Sequence, residues 1–78
     1  MNTLYLVKMV NQIESFFRAE QDRDVAIAGI AGHLKRFWEP RMRTAIIKHL
    51  DAGGEGLGEL AKSAVLKLAE SSKTHQGS

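Results

Sequence analysis

The sequence predicts a small all-α domain, a compact bundle of about four short helices, from three observations. Apolar residues recur with the 3.6-residue period of helices, whereas the alternation typical of strands is absent. The length of 78 residues allows one domain. The single proline, Pro40, and the pair Gly53 and Gly54 fall between periodic segments, where helices begin or end.

The first helix is predicted from Asn2 or Thr3, either of which can cap its N-terminus, to Glu20. Glu14 and Arg18 are spaced i, i+4, which favours an ion pair along the helix. The apolar face, at helical spacing, consists of Leu6, Met9, Val10, Ile13, Phe16 and Phe17. Opposite it, a second and exposed apolar patch is expected at Leu4 and Val7.

The second helix is predicted from Val25 to Phe37, after the capping aspartates Asp22 and Asp24. Its apolar face consists of Ile27, Ile30, Ala31, Leu34 and Trp38. The outer face holds Gly29 and Gly32, which cost about 1 kcal/mol each relative to alanine in a helix interior. These glycines indicate either close approach of another chain or tolerance of a weak helix.

The third helix is predicted from Pro40, which makes a sharp corner after the second helix, to Ala52. Its apolar face consists of Met42, Ala45, Ile46, His49 and Leu50. Gly53 and Gly54 end it. The fourth helix is predicted from Leu57 to Ala69, with Leu57, Leu60, Ala61, Ala64, Val65 and Leu68 inward. Residues 1–70 thus form one domain, and the polar residues 71–78 are expected to be a disordered tail.

Composition excludes several kinds of function. The absence of cysteine excludes disulfides and iron–sulfur clusters held by this chain. A net charge of +2 is too small to indicate nucleic-acid binding by itself. No apolar run approaches the ~18 residues of a membrane span, and the N-terminus does not resemble a signal peptide. A cytoplasmic protein with no membrane association is therefore expected.

Neither a metal site nor a phosphate loop is indicated. His33, His49 and His75 lack the paired spacing of metal ligands. The glycine-rich segment 53–58 has no strand before it and no Lys-Ser/Thr after it, and Glu55 would repel a phosphate. Because no catalytic constellation is recognisable either, we expect the chain to be no enzyme by itself.

The segment 33–43 is the densest in charged and aromatic residues, with basic side chains on both sides of the proline corner. Trp38 is best interpreted as a core anchor. For Arg36, Arg41 and Arg43, two interpretations stay open: docking to carboxylates of a partner protein, or solvation with local pairing of Arg43 to Glu39.

Three stretches together resemble the delta subunit of soluble, NAD-dependent, molybdenum-containing formate dehydrogenase. They are Leu6-Val7-Lys8-Met9-Val10-Asn11-Gln12-Ile13-Glu14-Ser15-Phe16-Phe17, His33-Leu34-Lys35-Arg36-Phe37-Trp38-Glu39-Pro40-Arg41-Met42-Arg43 and Ala52-Gly53-Gly54-Glu55-Gly56-Leu57. Their order matches the family's, although the segment from Ala19 to Ile30 contains no matching landmark.

The resemblance implies an accessory subunit that binds no cofactor. In such a holoenzyme, which oxidises formate to CO₂ and reduces NAD, the larger subunits would hold the molybdenum–pterin cofactor, the Fe–S clusters and FMN. The implied partner is the catalytic alpha subunit. The implied partner-binding residues are Asn11, Gln12, Arg36, Phe37, Trp38, Pro40, Arg41, Met42 and Arg43. For Asn11 and Gln12, plain solvation stays open as the alternative.

Other functions are also open from the sequence. A helix-turn-helix nucleic-acid binder would use the second and third helices, although its turn usually has three or four residues, often with glycine. A transient maturation chaperone of the catalytic subunit would have the same composition as a permanent subunit. The isolated chain, with an apolar face uncovered, could also form a homodimer.

Overall fold

A computed structural model describes residues 2–77, with the side chains of residues 2–71, and these form four helices with no strand. The helices are α1 (Thr3–Phe17), α2 (Arg23–Phe37), α3 (Pro40–Asp51) and α4 (Glu59–Gly77). The most extensive helix contact is between α2 and α4, while α1 and α3 pack on both α4 and each other. The predicted small all-α bundle is confirmed.

The beginnings of α1 and α2 are capped as the sequence predicts. The side chain of Asn2 accepts hydrogen bonds from the backbone N–H groups of Leu4 and Tyr5. Asp22 accepts in the same way from Asp24 and Val25, so α2 begins two residues earlier than predicted. Both caps satisfy N–H groups that have no partner inside the helix.

Two helix ends differ slightly from the prediction. α1 ends at Phe17 instead of Glu20, because the chain turns before it reaches the Asp22 cap, and the Glu20 carboxylate accepts from the Asp22 N–H in that turn. α3 ends at Asp51, and the N–H groups of Gly53 and Gly54 bond back to the carbonyls of Leu50 and His49. Both glycines have positive φ, which is the glycine stop that the sequence predicts.

α4 differs most from its predicted bounds. It begins at Glu59 instead of Leu57, because Leu57 and Gly58 complete the preceding loop. It continues to Gly77, eight residues beyond its predicted end at Ala69. Residues 59–76 contain neither proline nor glycine, so each added residue gains a backbone hydrogen bond without a break. Ser78 lies outside the described residues.

The core is built from all four helices and the loop before α4. The buried apolar residues that form it are Leu6, Val7, Val10, Ile27, Ile30, Ala31, Leu34, Trp38, Ile46, Leu57, Ala61, Ala64, Val65 and Leu68. Trp38 is buried at the proline corner, which confirms its interpretation as a core anchor. No helix in the described part of the chain has the length and apolar character needed to cross a membrane.

Two predicted positions on α1 are wrong. Val7, expected to be exposed, is buried because the loop before α4 covers it, and a Cβ on Gly56 would lie 3.3 Å from its Cγ1. Phe16, expected inward, is 80% exposed. Its neighbour Phe17 instead packs over Gly29 of α2, and adjacent residues on a helix point about 100° apart.

Removal of a core side chain should be costly in a chain this small. Leu34 is fully buried and Leu66 is 53% exposed, so the two leucines form a matched pair. We expect Leu34→Ala to lower the free energy of unfolding by about 2–5 kcal/mol and Leu66→Ala to change it by less than about 0.5 kcal/mol. Urea denaturation of the isolated chain measures both values. Equal effects would contradict the described core.

Candidate functional site

A glycine-rich loop joins α3 to α4, and the amide of Asn11 on α1 holds it. Asn11 Nδ2 donates to the carbonyl of Gly56 (2.8 Å), and Asn11 Oδ1 accepts from the N–H of Gly58 (2.9 Å). Both ends of the amide are therefore used within the chain. The neighbouring Gln12 is exposed.

The carboxylate of Glu14 is buried at the N-terminus of α4, with only 3% of the residue exposed. Its Oε2 accepts from the backbone N–H of Ala61 (3.0 Å), the third residue of α4, and its Oε1 accepts from Arg18 Nη2 (3.2 Å). The predicted ion pair of Glu14 and Arg18 is thus confirmed. A carboxylate at a helix N-terminus is stabilised by the N–H groups and by the helix dipole.

Gly58 makes room for this carboxylate. Its carbonyl accepts from the N–H of Lys62 (2.9 Å), so Gly58 takes the N-cap position of α4, but it has no side chain that could cap the helix. A Cβ placed on Gly58 would lie 2.2 Å from Oε1 of Glu14. Glu14 therefore supplies from α1 the cap that residue 58 lacks. We call Asn11, Glu14 and Gly58 the α1–α4 clamp.

The loop is fixed from α3 as well, because His49 Nε2 lies 2.7 Å from the carbonyl oxygen of Glu55. The ring is thereby engaged within the chain. Within the part of the chain whose side chains are described, no group of three or more His, Asp and Glu residues is placed to hold a metal ion. His75 falls outside those side chains.

At the proline corner, Arg43 is directed back toward α2. Its Nη1 donates to the carbonyls of Trp38 and Lys35, the latter at 3.2 Å, and so satisfies carbonyls at the C-terminal end of α2. This contact replaces the local pair with Glu39 that the sequence analysis considered. Only Trp38 and Glu39 lie between α2 and α3, so the corner is shorter than the three or four residues usual in a helix-turn-helix turn.

The remaining residues of the corner are distributed over its surface and its inner side. Arg36, Phe37, Pro40 and Arg41 are exposed, and Met42 is half-buried against the core. Of the residues predicted to bind a partner, the structure thus directs Asn11, Trp38 and Arg43 inward and leaves Gln12, Arg36, Phe37, Pro40 and Arg41 accessible.

A groove of about 340 Å³ follows the outer face of α2. It is lined by Phe17, Ala28, Gly29, Gly32, His33, Arg36 and Phe37, and we call it the α2 groove. The ring of Phe37, a residue that is 70% exposed, packs against the ring of His33 with centroids 4.8 Å apart. At the other end, the ring of Phe16 meets that of Phe17 edge to face at 5.4 Å.

The two glycines of α2 have different surroundings in this groove. A Cβ on Gly29 would lie 2.4 Å from the ring of Phe17, so this glycine serves packing within the chain. A Cβ on Gly32 would meet nothing within 4 Å. The close approach that the sequence analysis considered for both glycines therefore stays open for Gly32.

The sequence analysis missed Glu14 and Gly58. Both carry a readable signal. Glu14 follows Asn11 by one helical turn and interrupts an otherwise apolar side of α1, while Gly58 directly precedes α4, where a capping side chain is usual. The carboxylate of Glu14 on α1 thus supplies the capping acceptor that Gly58 cannot give to α4.

Comparison with known proteins connects the chain to one family. The family model described as "NADH-dependant formate dehydrogenase delta subunit FdsD" matches residues 5–65, which is more than half of the 78 residues. No curated protein and no solved structure matches the chain. The matched segment contains the α1–α4 clamp, the proline corner and the α2 groove.

Asn11 and its neighbour Gln12 permit a direct test of the clamp. We expect Asn11→Ala to lower the free energy of unfolding by about 1–3 kcal/mol, because Gly58 N–H and Gly56 C=O lose their partner. Gln12→Ala, which removes an exposed amide, should change it by less than about 0.5 kcal/mol. Denaturation with urea measures both. Equal stability of the two variants would show that the amide contacts contribute nothing.

The same substitution should have opposite effects at two glycines. Gly58→Ala forces a methyl group against the Glu14 carboxylate and should destabilise the chain by about 1–3 kcal/mol. Gly32→Ala adds a methyl group in open space on a helix and should stabilise it by up to about 1 kcal/mol. Thermal unfolding followed by circular dichroism gives the sign of each effect. A Gly58→Ala variant as stable as the wild type would refute the described approach of Glu14.

Proposed function

Because the chain belongs to the delta-subunit family of NADH-dependent formate dehydrogenase, we propose that it is a non-catalytic accessory subunit that docks on the larger subunits of such an enzyme. Its role in this proposal is to stabilise the molybdenum-containing holoenzyme or to assist its assembly. The larger subunits carry the molybdenum–pterin cofactor, the Fe–S clusters and FMN. The catalytic alpha subunit is the proposed contact.

The observation that carries this proposal is the exposed aromatic surface. Phe16 and Phe37 are 80% and 70% exposed, and both adjoin the α2 groove through their neighbours Phe17 and His33. Full burial of one phenylalanine side chain is worth about 1.5–3 kcal/mol. A protein partner that covers either ring gains this free energy, and aromatic residues are enriched at protein interfaces.

Fixed internal contacts support docking as the mode of action. The α1–α4 clamp and the Arg43 contacts hold the helices and the proline corner by hydrogen bonds independent of any partner. A surface that is already in its bound shape loses little conformational entropy on association. Two exposed basic residues, Arg36 in the lining of the α2 groove and Arg41 at the start of α3, can pair with carboxylates of the larger subunit.

The proposal is tested by purification of the tagged chain from its native host, with size exclusion and an assay of formate-dependent NAD reduction. We expect the chain to elute with a large complex that contains molybdenum and reduces NAD. Elution of the chain alone from a host that makes active formate dehydrogenase would overturn the proposal. The enzyme purified from the same host without the tagged chain serves as the control.

The same experiment separates a permanent subunit from a maturation chaperone. A permanent subunit is recovered with the active, cofactor-loaded enzyme at a fixed ratio. A chaperone is recovered only with a large subunit that lacks molybdenum and does not oxidise formate. Molybdenum content, measured in the same fractions as activity, distinguishes the two.

A further inference from the structure

The α2 groove has a defined shape along its helix. The ring of Phe17 lies over Gly29 at one end, and Phe37 stands at the other. These two positions of α2 are eight residues apart, or about 12 Å at the rise of an α-helix. Gly32 forms the floor between them, and a Cβ at this position would meet no atom within 4 Å apart from those of its chain neighbours and of the backbone of α2. The groove is therefore a depression between two aromatic rings.

The charge of the groove is of one sign. That charge is the guanidinium of Arg36, and no acidic side chain lines the groove. Arg36 has no ion pair and no hydrogen-bond acceptor among the side chains of residues 2–71, whereas the nearby Lys35 donates to Ser71. Arginine and phenylalanine are both enriched at protein interfaces. A carboxylate is the group that complements the guanidinium.

From this shape and charge we infer that the α2 groove binds an amphipathic helix of a larger formate dehydrogenase subunit. One aliphatic side chain of that helix enters the depression above Gly32, between the rings of Phe17 and Phe37. A carboxylate one turn away pairs with Arg36, because Gly32 and Arg36 are themselves one turn apart on α2. This inference rests on the proposed function and adds the surface and the chemistry of its partner.

A second copy of the chain is a poorer occupant. In a symmetric dimer whose two-fold axis passes through Gly32, the Gly32 of one copy would face the Gly32 of the other. Neither copy would then offer an aliphatic side chain to fill the depression of its partner. A partner helix supplies a projecting side chain and the missing negative charge together. Self-association is nevertheless measurable and is included in the test.

Four groove variants and two controls test the inference in a host whose own copy of the gene is deleted. Gly32→Leu fills the depression, Phe37→Ser removes a wall, Arg36→Glu reverses the charge and Gly32→Ala adds only a methyl group. The controls are Leu66→Ser and Lys67→Glu, which make matched changes at exposed positions on α4, outside the groove. The measurement is the amount of large subunit recovered with each tagged chain.

Recovery should fall at least about tenfold for Gly32→Leu, Phe37→Ser and Arg36→Glu, less for Gly32→Ala, and not for the controls. The melting temperature of the isolated Gly32→Leu chain should be no lower than that of the wild type, because a Cβ at residue 32 meets nothing within 4 Å and leucine favours a helix more than glycine does. This result separates loss of binding from loss of folding.

Three outcomes overturn the inference, and they are distinguishable from one another. If the wild-type chain recovers no large subunit, the proposed function fails and the inference with it. If the wild type and all groove variants recover it equally, docking stands but occurs elsewhere. If the isolated wild type is a dimer by size exclusion and Gly32→Leu is a monomer, the occupant is a second copy.

Discussion

The burial of one carboxylate at the start of α4 is the constraint on which the rest of the structure depends. α4 provides much of the core, yet its N-cap position is a glycine without a capping group. Glu14 of α1 supplies the cap, and Asn11 one turn earlier fixes the loop that leads into it. Hydrogen bonds to a buried charge contribute about 1.5–3 kcal/mol, and loss of a partner leaves that charge unsatisfied. The contact therefore determines how α1, the loop and α4 fit together.

This constraint explains why two separate stretches that resemble the formate dehydrogenase delta subunit occur in the same chain. The first contains Asn11 and Glu14, and the third contains Gly56 at one end of the loop that they hold. The two stretches touch, so each requires the other. The central stretch is divided: Trp38 is buried and Arg43 bonds back to the end of α2, whereas Arg36 and Phe37 line the groove. The stretches that resemble the family therefore include residues that hold the fold together.

The sequence predicted the helices because their signals are local. Asn2, Asp22 and Gly53 act on their own helix, and periodicity identifies its apolar side. The prediction of α1 was incomplete because it assumed that a single core covers one face, whereas the loop before α4 also covers Val7. The internal roles of Asn11 and Glu14 depend on partners 45 to 47 residues away, so the pattern of α1 marks Glu14 as unusual but does not identify its partner. The role of Arg43 depends on a long side chain that bonds back to α2. The exposure of Phe16 follows from the packing of Phe17 over Gly29, which is equally non-local.

The separation of interior polar contacts from surface aromatics determines which substitutions can report on docking. A change at Asn11, Glu14, Trp38 or Arg43 disturbs contacts that hold the helices, so a loss of binding there would not distinguish a missing contact from a misfolded chain. Few internal contacts depend on the other three positions. Arg36 and Phe37 are exposed, and a Cβ at Gly32 would meet nothing within 4 Å. Because the hydrogen bonds of the α1–α4 clamp hold the helices together, the fold does not need to bury the rings of Phe16 and Phe37. Because surface and interior are independent in this way, substitutions on the outer face of α2 can test docking without disturbing the contacts that hold the fold.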